Sequence, residues 1–426
     1  MSSALVVGSG PNGLTAAVVL AEAGLDVTVV EAAPTIGGGT RTSELIEEGV
    51  WHDHCSAFHP LGAGSPYWNS IDLEQHGLRW LTPEIDCVHP LDDGSAGVLH
   101  TSIDETAAGL GADGARWKAV FGHAAASFDQ LATDILGPMI SIPRHPLALI
   151  DFGPRALAPA SLTAAALRTP QARALFGGIA AHAFGRLSRL GTSAPGLMMI
   201  AAGHRHGWPV AEGGSSAITA ALAAKLIALG GQIETDLKVD HLDEVADADV
   251  VMMDVTPRAA LEILGDRLPT RIRRAYLRHR YGTGAFKVDY VIDGEVPWTN
   301  PDARRAGTVH LGGEFAQVAA AEKATLRGSL PSQPFVLVGQ QYLADPGRSN
   351  GDHNPLWAYA HVPHRYSGDA TEVVTAQIER FAPGFRRQIV ASRSSGAAEL
   401  ERENPNYIGG DIGGGANDLA QLIARP

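Results

Sequence analysis

Ala4-Leu5-Val6-Val7-Gly8-Ser9-Gly10-Pro11-Asn12-Gly13-Leu14 turns a short apolar run through three glycines into a helical pattern. The run Ala4–Val7 is apolar and β-branched, which reads as a buried parallel strand. The helical pattern continues to Ala23 and closes at Gly24. A second strand, Asp26-Val27-Thr28-Val29-Val30, then ends on Glu31. Strand, glycine-rich turn, helix, strand and terminal acid is the order that dinucleotide binding requires. Gly8 permits the tight turn and Gly10 lets bare backbone approach a pyrophosphate. Gly13 allows close helix-to-strand packing, and the helix N-terminus offers N–H groups and the positive end of its dipole. Glu31 can accept hydrogen bonds from ribose hydroxyls, each worth about 1.5–3 kcal/mol as a charge-assisted bond.

The same glycine spacing recurs at Gly109-Leu110-Gly111-Ala112-Asp113-Gly114, but a polar stretch from Thr101 to Thr106 precedes it. Without a strand before it, this copy reads as a helix entry with Asp113 as the capping residue.

The rest of the composition narrows the class. A chain of 426 residues exceeds one ordinary domain, so two joined domains are expected. Its 45% hydrophobic content suits a globular core. The net charge of -13 argues against nucleic acid and against a polybasic membrane patch. Cys55 and Cys87 are the only cysteines, too few and too far apart for a disulfide framework or a redox pair. No basic leader and no apolar run of about 18 residues is present, so the expectation is a cytoplasmic protein without a membrane span. Peripheral membrane contact stays open.

Just past Glu31 lies Gly37-Gly38-Gly39-Thr40-Arg41-Thr42. Bare backbone followed by a fixed guanidinium suits a second stretch of phosphate and hence an elongated cofactor. This segment resembles the second glycine motif of the glutathione-reductase-like FAD superfamily, shared by amine oxidases and carotenoid desaturases. Farther on, Trp208-Pro209-Val210-Ala211-Glu212-Gly213-Gly214-Ser215 introduces a helical run from Ala217 to Leu229. Strand patterns follow at Ile233–Val239 and, apolar and buried in character, at Ala248–Met253. The resemblance implies that this block returns to the FAD domain, with Val239 touching the adenine end through its backbone. No second glycine-rich βαβ unit appears in mid-chain, which favours FAD over a bound nicotinamide.

Pro11-Asn12-Gly13-Leu14, His52-Asp53-His54-Cys55-Ser56-Ala57-Phe58-His59-Pro60 and Asn404-Pro405-Asn406-Tyr407-Ile408-Gly409-Gly410-Asp411-Ile412 carry a narrower likeness. On these residues the chain resembles phytoene-dehydrogenase-like, carotenoid desaturase-related flavoproteins of the pyridine nucleotide-disulfide oxidoreductase domain-containing protein 2 type. The likeness implies an α/β fold. A Rossmann-like FAD-binding domain (residues 1–60, 206–264 and 399–426) would join an α+β substrate domain (61–205 and 265–398). The cofactor contacts implied are Gly8, Gly10, Pro11, Asn12, Gly13, Leu14, Glu31, Gly38, Gly39, Thr40, Arg41 and Val239. Family members look as though they continue beyond an Arg-Pro such as Arg425-Pro426 into a segment that contacts the ribityl chain and flavin ring. The implied activity is hydride removal from a small apolar, isoprenoid-like substrate, with oxygen or a quinone as electron acceptor. An FAD-dependent amine oxidase is the enzymatic alternative. A catalytically silent FAD-binding protein, lacking the flavin-contacting segment, is the alternative from another class.

On the substrate side, Trp117, Val120, Phe121, Ala124, Phe128, Leu131 and Ile135 share one helical face. They form either an apolar cap over a lipid-like substrate or, as such faces more often do, a helical core. The strands at Phe286–Ile292 and Phe335–Gly339, with Pro355–Pro363 carrying Trp357, Tyr359 and His361, are placed by resemblance in the floor of the substrate site. His52, Asp53, His54, Cys55 and His59 cluster without zinc spacing, and His204 and His206 form a similar pair, so no metal is expected. His54 or His59 could approach a flavin as acid or base, but nothing in the spacing fixes a catalytic residue. The run Glu399–Glu403 reads as a solvated face.

Overall fold

The opening strand, helix and strand form as β1 (Ser3–Val7), α1 (Pro11–Glu22) and β2 (Asp26–Val30) in the computed structural model, which describes residues 2–137, 142–245, 247–418 and 421. Along the chain follow β3 (Ile85–Pro90), β4 (Ala96–Leu99), α2 (Gly114–Ala126), α3 (Phe128–Ile135) and α4 (Pro146–Leu157). Next come α5 (Pro170–Ala180), α6 (Ser193–His206), α7 (Ser216–Ala228), β5 (Gln232–Glu234) and β6 (Val250–Met253). The last strands are β7 (Gly284–Asp293), β8 (Ala306–Leu311), β9 (Val336–Gly339), β10 (His353–Val362) and β11 (Ile389–Ser395), with α8 (Thr371–Phe381) between β10 and β11.

A parallel sheet in the order β6-β1-β2-β5 carries α1 and α7, whose apolar faces pack around Val6, Leu14, Val18, Val29 and Leu222. Leu14 is fully buried there. The strand expected over Ile233–Val239 stops at Glu234, because Asp236 takes a left-handed φ of +58°. The chain turns, and the Leu237 N–H donates to the Glu31 carbonyl at 2.9 Å. The strand expected to be buried over Ala248–Met253 is shorter and only half-buried, since β6 lies at the sheet's edge and Met252 is 43% exposed.

The second sheet runs β11-β7-β10-β9-β8-β3-β4, antiparallel except between β8 and β3. Strand alternation divides its residues cleanly. Val288, Tyr290, Val309, Val338 and Ala358 face α8 in one core. Ala285, Leu337, Trp357 and Tyr359 face the helical layer in another. The helical face expected over 117–135 breaks at Ser127 into α2 and α3. Its residues Trp117, Phe121, Phe128 and Leu131 fill the core beneath α5 and α6. That answers the choice between cap and core in favour of core. Asp113 precedes α2, yet its carboxylate does not cap that helix. It accepts instead from the N–H groups of Arg168 and Thr169 and from the Thr169 hydroxyl, just ahead of α5.

Candidate cofactor and substrate cavity

A continuous cavity of about 1240 Å³ runs from the β1–α1 turn to the inner face of the large sheet. Small-molecule sites usually occupy about 300–1,000 Å³, so this one has room for an extended ligand and a second molecule. Its first end lies outside the carboxyl ends of β1, β2 and β6, where parallel sheets bind ligands.

At that end Gly8 holds a φ of +103°, and a Cβ on Gly10 would lie 2.9 Å from an Asp254 carboxylate oxygen. Gly13 packs so closely that a Cβ would strike the Gly8 carbonyl. The N–H groups of the first turn of α1 are distributed unequally. Pro11 has none, the Gly13 N–H donates to Asp254 Oδ2 at 3.0 Å, and Asn12 lines the cavity. Glu31 also lines it. Its Oε2 accepts from Ser9 N (3.0 Å) and Ser9 Oγ (2.6 Å), and its Oε1 from Ala33 N (2.9 Å). Arg41 Nη2 stands 3.5 Å from Glu31 Oε1 and is held at 2.9 Å by the Thr35 carbonyl. Burial, and then the charge of Glu31, raise the Asp254 carboxyl above its usual range. This bare-backbone cradle, with an acid at the end of β2 and a guanidinium across from it, fits the adenosine diphosphate half of FAD.

Of the residues expected to hold the cofactor, Gly8, Gly10, Pro11, Asn12, Glu31, Gly38, Gly39, Thr40, Arg41 and Val239 line this cavity together. Gly13 and Leu14 do not. Gly13 acts through packing, and Leu14 points into the hydrophobic core with its N–H given to the Gly10 carbonyl. Leu14, expected as a cofactor contact, lies off the cavity lining and anchors α1. The run Glu399–Glu403 is likewise less solvated than expected, since Leu400 and Glu403 line the wall and Arg393 pairs with Glu399 and Glu403.

The middle of the cavity is bounded by His54, Cys55, His59, Lys287, Arg393 and Tyr407. Lys287 is buried and held by both carboxylate oxygens of Asp289, two residues along the same face of β7. Burial lowers His54 and His59 to pKa values of about 4, so both are neutral at pH 7. His54 bonds Ser43 Oγ, and His59 bonds Ser215 Oγ, both at 2.8 Å. His52 and Asp53 turn away from the cavity. His52 Nε2 meets the Tyr290 carbonyl at 3.1 Å, and Asp53 is buried against Arg348. His204 and His206 are spent on Trp117 (2.9 Å) and Asp129 (3.1 Å).

The inner end lies between the sheet floor (Ala285, Thr308, Leu337, Trp357, Tyr359) and a helical wall (His182, Phe184, Met199, Trp208). Trp357 and Tyr359 stack at 5.6 Å, and Phe184 lies parallel to Tyr359 at 6.3 Å. Burial lowers His182 to about 4. His361 is withdrawn from the cavity by a 2.8 Å bond to Glu322. Among the described residues the acids on the lining are Glu31, Asp254 and Glu403, all toward the cradle; the inner end has none.

Sequence reasoning missed Asp254, Phe184 and Trp208 as lining residues, and placed Lys287 only as part of a strand assigned to the floor. Asp254 had a readable signal, an acid at the carboxyl end of a parallel strand. The other three depend on long-range packing.

Comparison with known proteins places this geometry in a class. The NAD(P)-binding Rossmann-like domain family matches residues 6–71. An oxidoreductase from Methanosarcina mazei superposes with a TM-score of 0.60 at 14% identity, over 92% of this chain and 87% of its own. Putrescine oxidase, solved with putrescine bound, gives 0.55 at 18% identity over 93% and 85%. The chain thus has an α/β fold like that of putrescine oxidase: a Rossmann-like dinucleotide-binding domain joined to a mixed-sheet domain. In sequence, 103 residues are 32% identical to one of the subunits of limonene dehydrogenase from Castellaniella defragrans. That match covers 24% of this chain and only 18% of the relative's length. Among the described residues no helix is long and apolar enough to cross a membrane.

Proposed function

We propose that this protein is an FAD-dependent oxidoreductase of the phytoene-dehydrogenase-like kind that removes hydride from a neutral, apolar, isoprenoid-like substrate. The observation that carries the reading is the single cavity that joins the glycine cradle to an aromatic inner end without a lining carboxylate. In this reading residues 1–60, 206–264 and 399–426 form the FAD domain, and the remainder forms the substrate domain. Gly10, Asn12 and Arg41 would hold the pyrophosphate, Glu31 the ribose, and the backbone at Val239 the adenine. Bound FAD supplies the hydride acceptor. The chain's own residues position and dry the site. Trp357, Tyr359, Phe184 and Trp208 enclose an apolar substrate and exclude water, while neutral His182 presents a ring without charge. The relative's substrate, limonene, is an apolar terpene, in keeping with this wall.

Amine oxidation is the second reading. The stacked Trp357, Tyr359 and Phe184 favour it, because aromatic faces can hold a cation. The test is a visible spectrum of the purified chain before and after FAD addition and gel filtration, followed by anaerobic mixing with terpene alkenes or with alkyl amines. Retained flavin bleached by a terpene supports the proposal. Bleaching by amines alone, with peroxide released in air, replaces it with the second reading, and a chain that refuses FAD refutes both.

A further inference from the structure

Helix α4 is apolar on both sides. Ala148, Phe152 and Ala156 are buried at a spacing of four. Leu147, Ile150 and Leu157, at spacings of three and seven, form an outward stripe that is 81%, 69% and 51% exposed. A helix on a water-facing surface carries polar residues there. Leu190 (60% exposed) and Leu162 (63% exposed) extend the stripe. Their segments are tied to this region by bonds from Gly191 N to the Leu157 carbonyl (2.8 Å) and from Ser161 N to the Leu187 carbonyl (3.0 Å). Contiguous apolar surface of this kind marks an interaction site.

The local charge is opposite to that of the whole chain. Residues 142–192 contain six Arg and one Asp, a net of +5 within a chain of net -13. Arg168, Arg186 and Arg189 are exposed and form no ion pair among the described residues, while Arg144, also exposed, faces Asp134, which accepts from its N–H at 2.8 Å. Whole-chain charge, which argued against a basic membrane patch, averages this segment away. The exposed stripe consists of Leu and Ile flanked by Arg, the pairing of aliphatic and cationic side chains that an interfacial helix presents to anionic lipid. The stripe also adjoins the cavity: His182 and Phe184 line its inner end, and Arg186 to Leu190 follow directly in the chain.

We infer that α4 and the loop Arg186–Leu190 form a docking face for a bilayer surface rich in anionic headgroups. The aliphatic side chains enter the acyl boundary and the guanidiniums meet the phosphates. Docked in this way, the inner end of the cavity sits beside the phase in which an apolar substrate dissolves.

The test is flotation of the full chain with phosphatidylcholine vesicles that contain or lack about one quarter phosphatidylglycerol. Binding to the anionic vesicles that weakens with added salt is expected. Leu147→Ser with Ile150→Ser, and separately Arg186→Gln with Arg189→Gln, should each lower it about tenfold or more. All these side chains are exposed, so thermal midpoints should not move. Should one pair misfold, the other still tests the face. Failure to float with anionic vesicles overturns the inference, as does binding that both double variants retain. A dimer dissolved by the Leu147 and Ile150 changes, without flotation, would reassign the face to protein contact. None of these outcomes depends on FAD turnover, so the inference and the proposed function can fail separately.

Discussion

Gly39 and Asp254 show how closely the cradle is built at single positions. A Cβ on Gly39 would be driven into the hydroxyl of half-buried Tyr407, which itself lies beside Cys55 and Asn404. Gly39→Ala should therefore cost about 1–3 kcal/mol of stability by overpacking. Adding Tyr407→Phe should return part of that loss, because the oxygen in the way is gone; urea denaturation of the four-member mutant cycle measures the coupling. Asp254 is the opposite case, a side chain whose charge works against the expected ligand. Its carboxylate faces the first turn of α1, where a pyrophosphate would also sit. Asp254→Asn keeps an acceptor for the Gly13 N–H and removes the repulsion, so FAD should bind roughly tenfold more tightly, a difference of about 1.4 kcal/mol. Because the Asp254 pKa is raised, wild-type affinity should fall as pH rises through it, and affinity of the Asn variant should not. Titration calorimetry across the acid range reads both effects.

Elements are joined here by buried acids, and these set the pH behaviour of the fold. Asp86, in β3, accepts from Trp208 N (2.8 Å) and Thr101 Oγ1 (2.9 Å), and burial raises its pKa to about 6. The unfolded chain loses this proton first, so stability falls as pH rises from about 4 to about 6, by roughly 3 kcal/mol at one unit per 1.36 kcal/mol. Asp86→Asn should flatten that part of the profile in urea midpoints measured across the range. Asp53 titrates in the other sense. Burial alone would raise it, but Arg348 and bonds from Ser215 and Thr42 outweigh burial and hold it below the usual range. Arg348 is fully buried and also bonds Asp345 (3.0 Å) and the Ala211 carbonyl (2.8 Å), tying three distant segments together. Arg348→Ala should cost about 3–5 kcal/mol by stranding buried carboxylates, read as a fall in the urea midpoint. What the sequence could and could not reveal follows the same division. The β1–α1–β2 unit was legible because strand, turn and helix are neighbours in the chain and each glycine answers a local demand. The choice of Thr169 over its own helix by Asp113, the bend at Asp236 and the meeting of Lys287 with His54 and Tyr407 across the cavity were not. Each is decided by packing between segments a few dozen to a few hundred residues apart.

At the scale of the molecule, a ligand that fills the cradle should stabilise both sheets together. The lining comes from the Rossmann sheet, the large sheet and the helical layer alike. FAD at a hundred times its dissociation constant should add about 2.7 kcal/mol, seen as a rise in the thermal midpoint that adenosine alone reproduces only in part. The strand order β6-β1-β2-β5 has a further consequence for biosynthesis. The two central strands are synthesised within the first thirty residues, yet their outer neighbours begin at Gln232 and Val250. At about 5–20 residues per second, β1 and β2 wait roughly ten to forty seconds with both flanks unpaired. Throughout that interval the nascent chain exposes two apolar parallel strands, the state in which strand edges recruit other chains. Its yield on expression should depend on chaperone supply during translation more than on the stability of the finished fold.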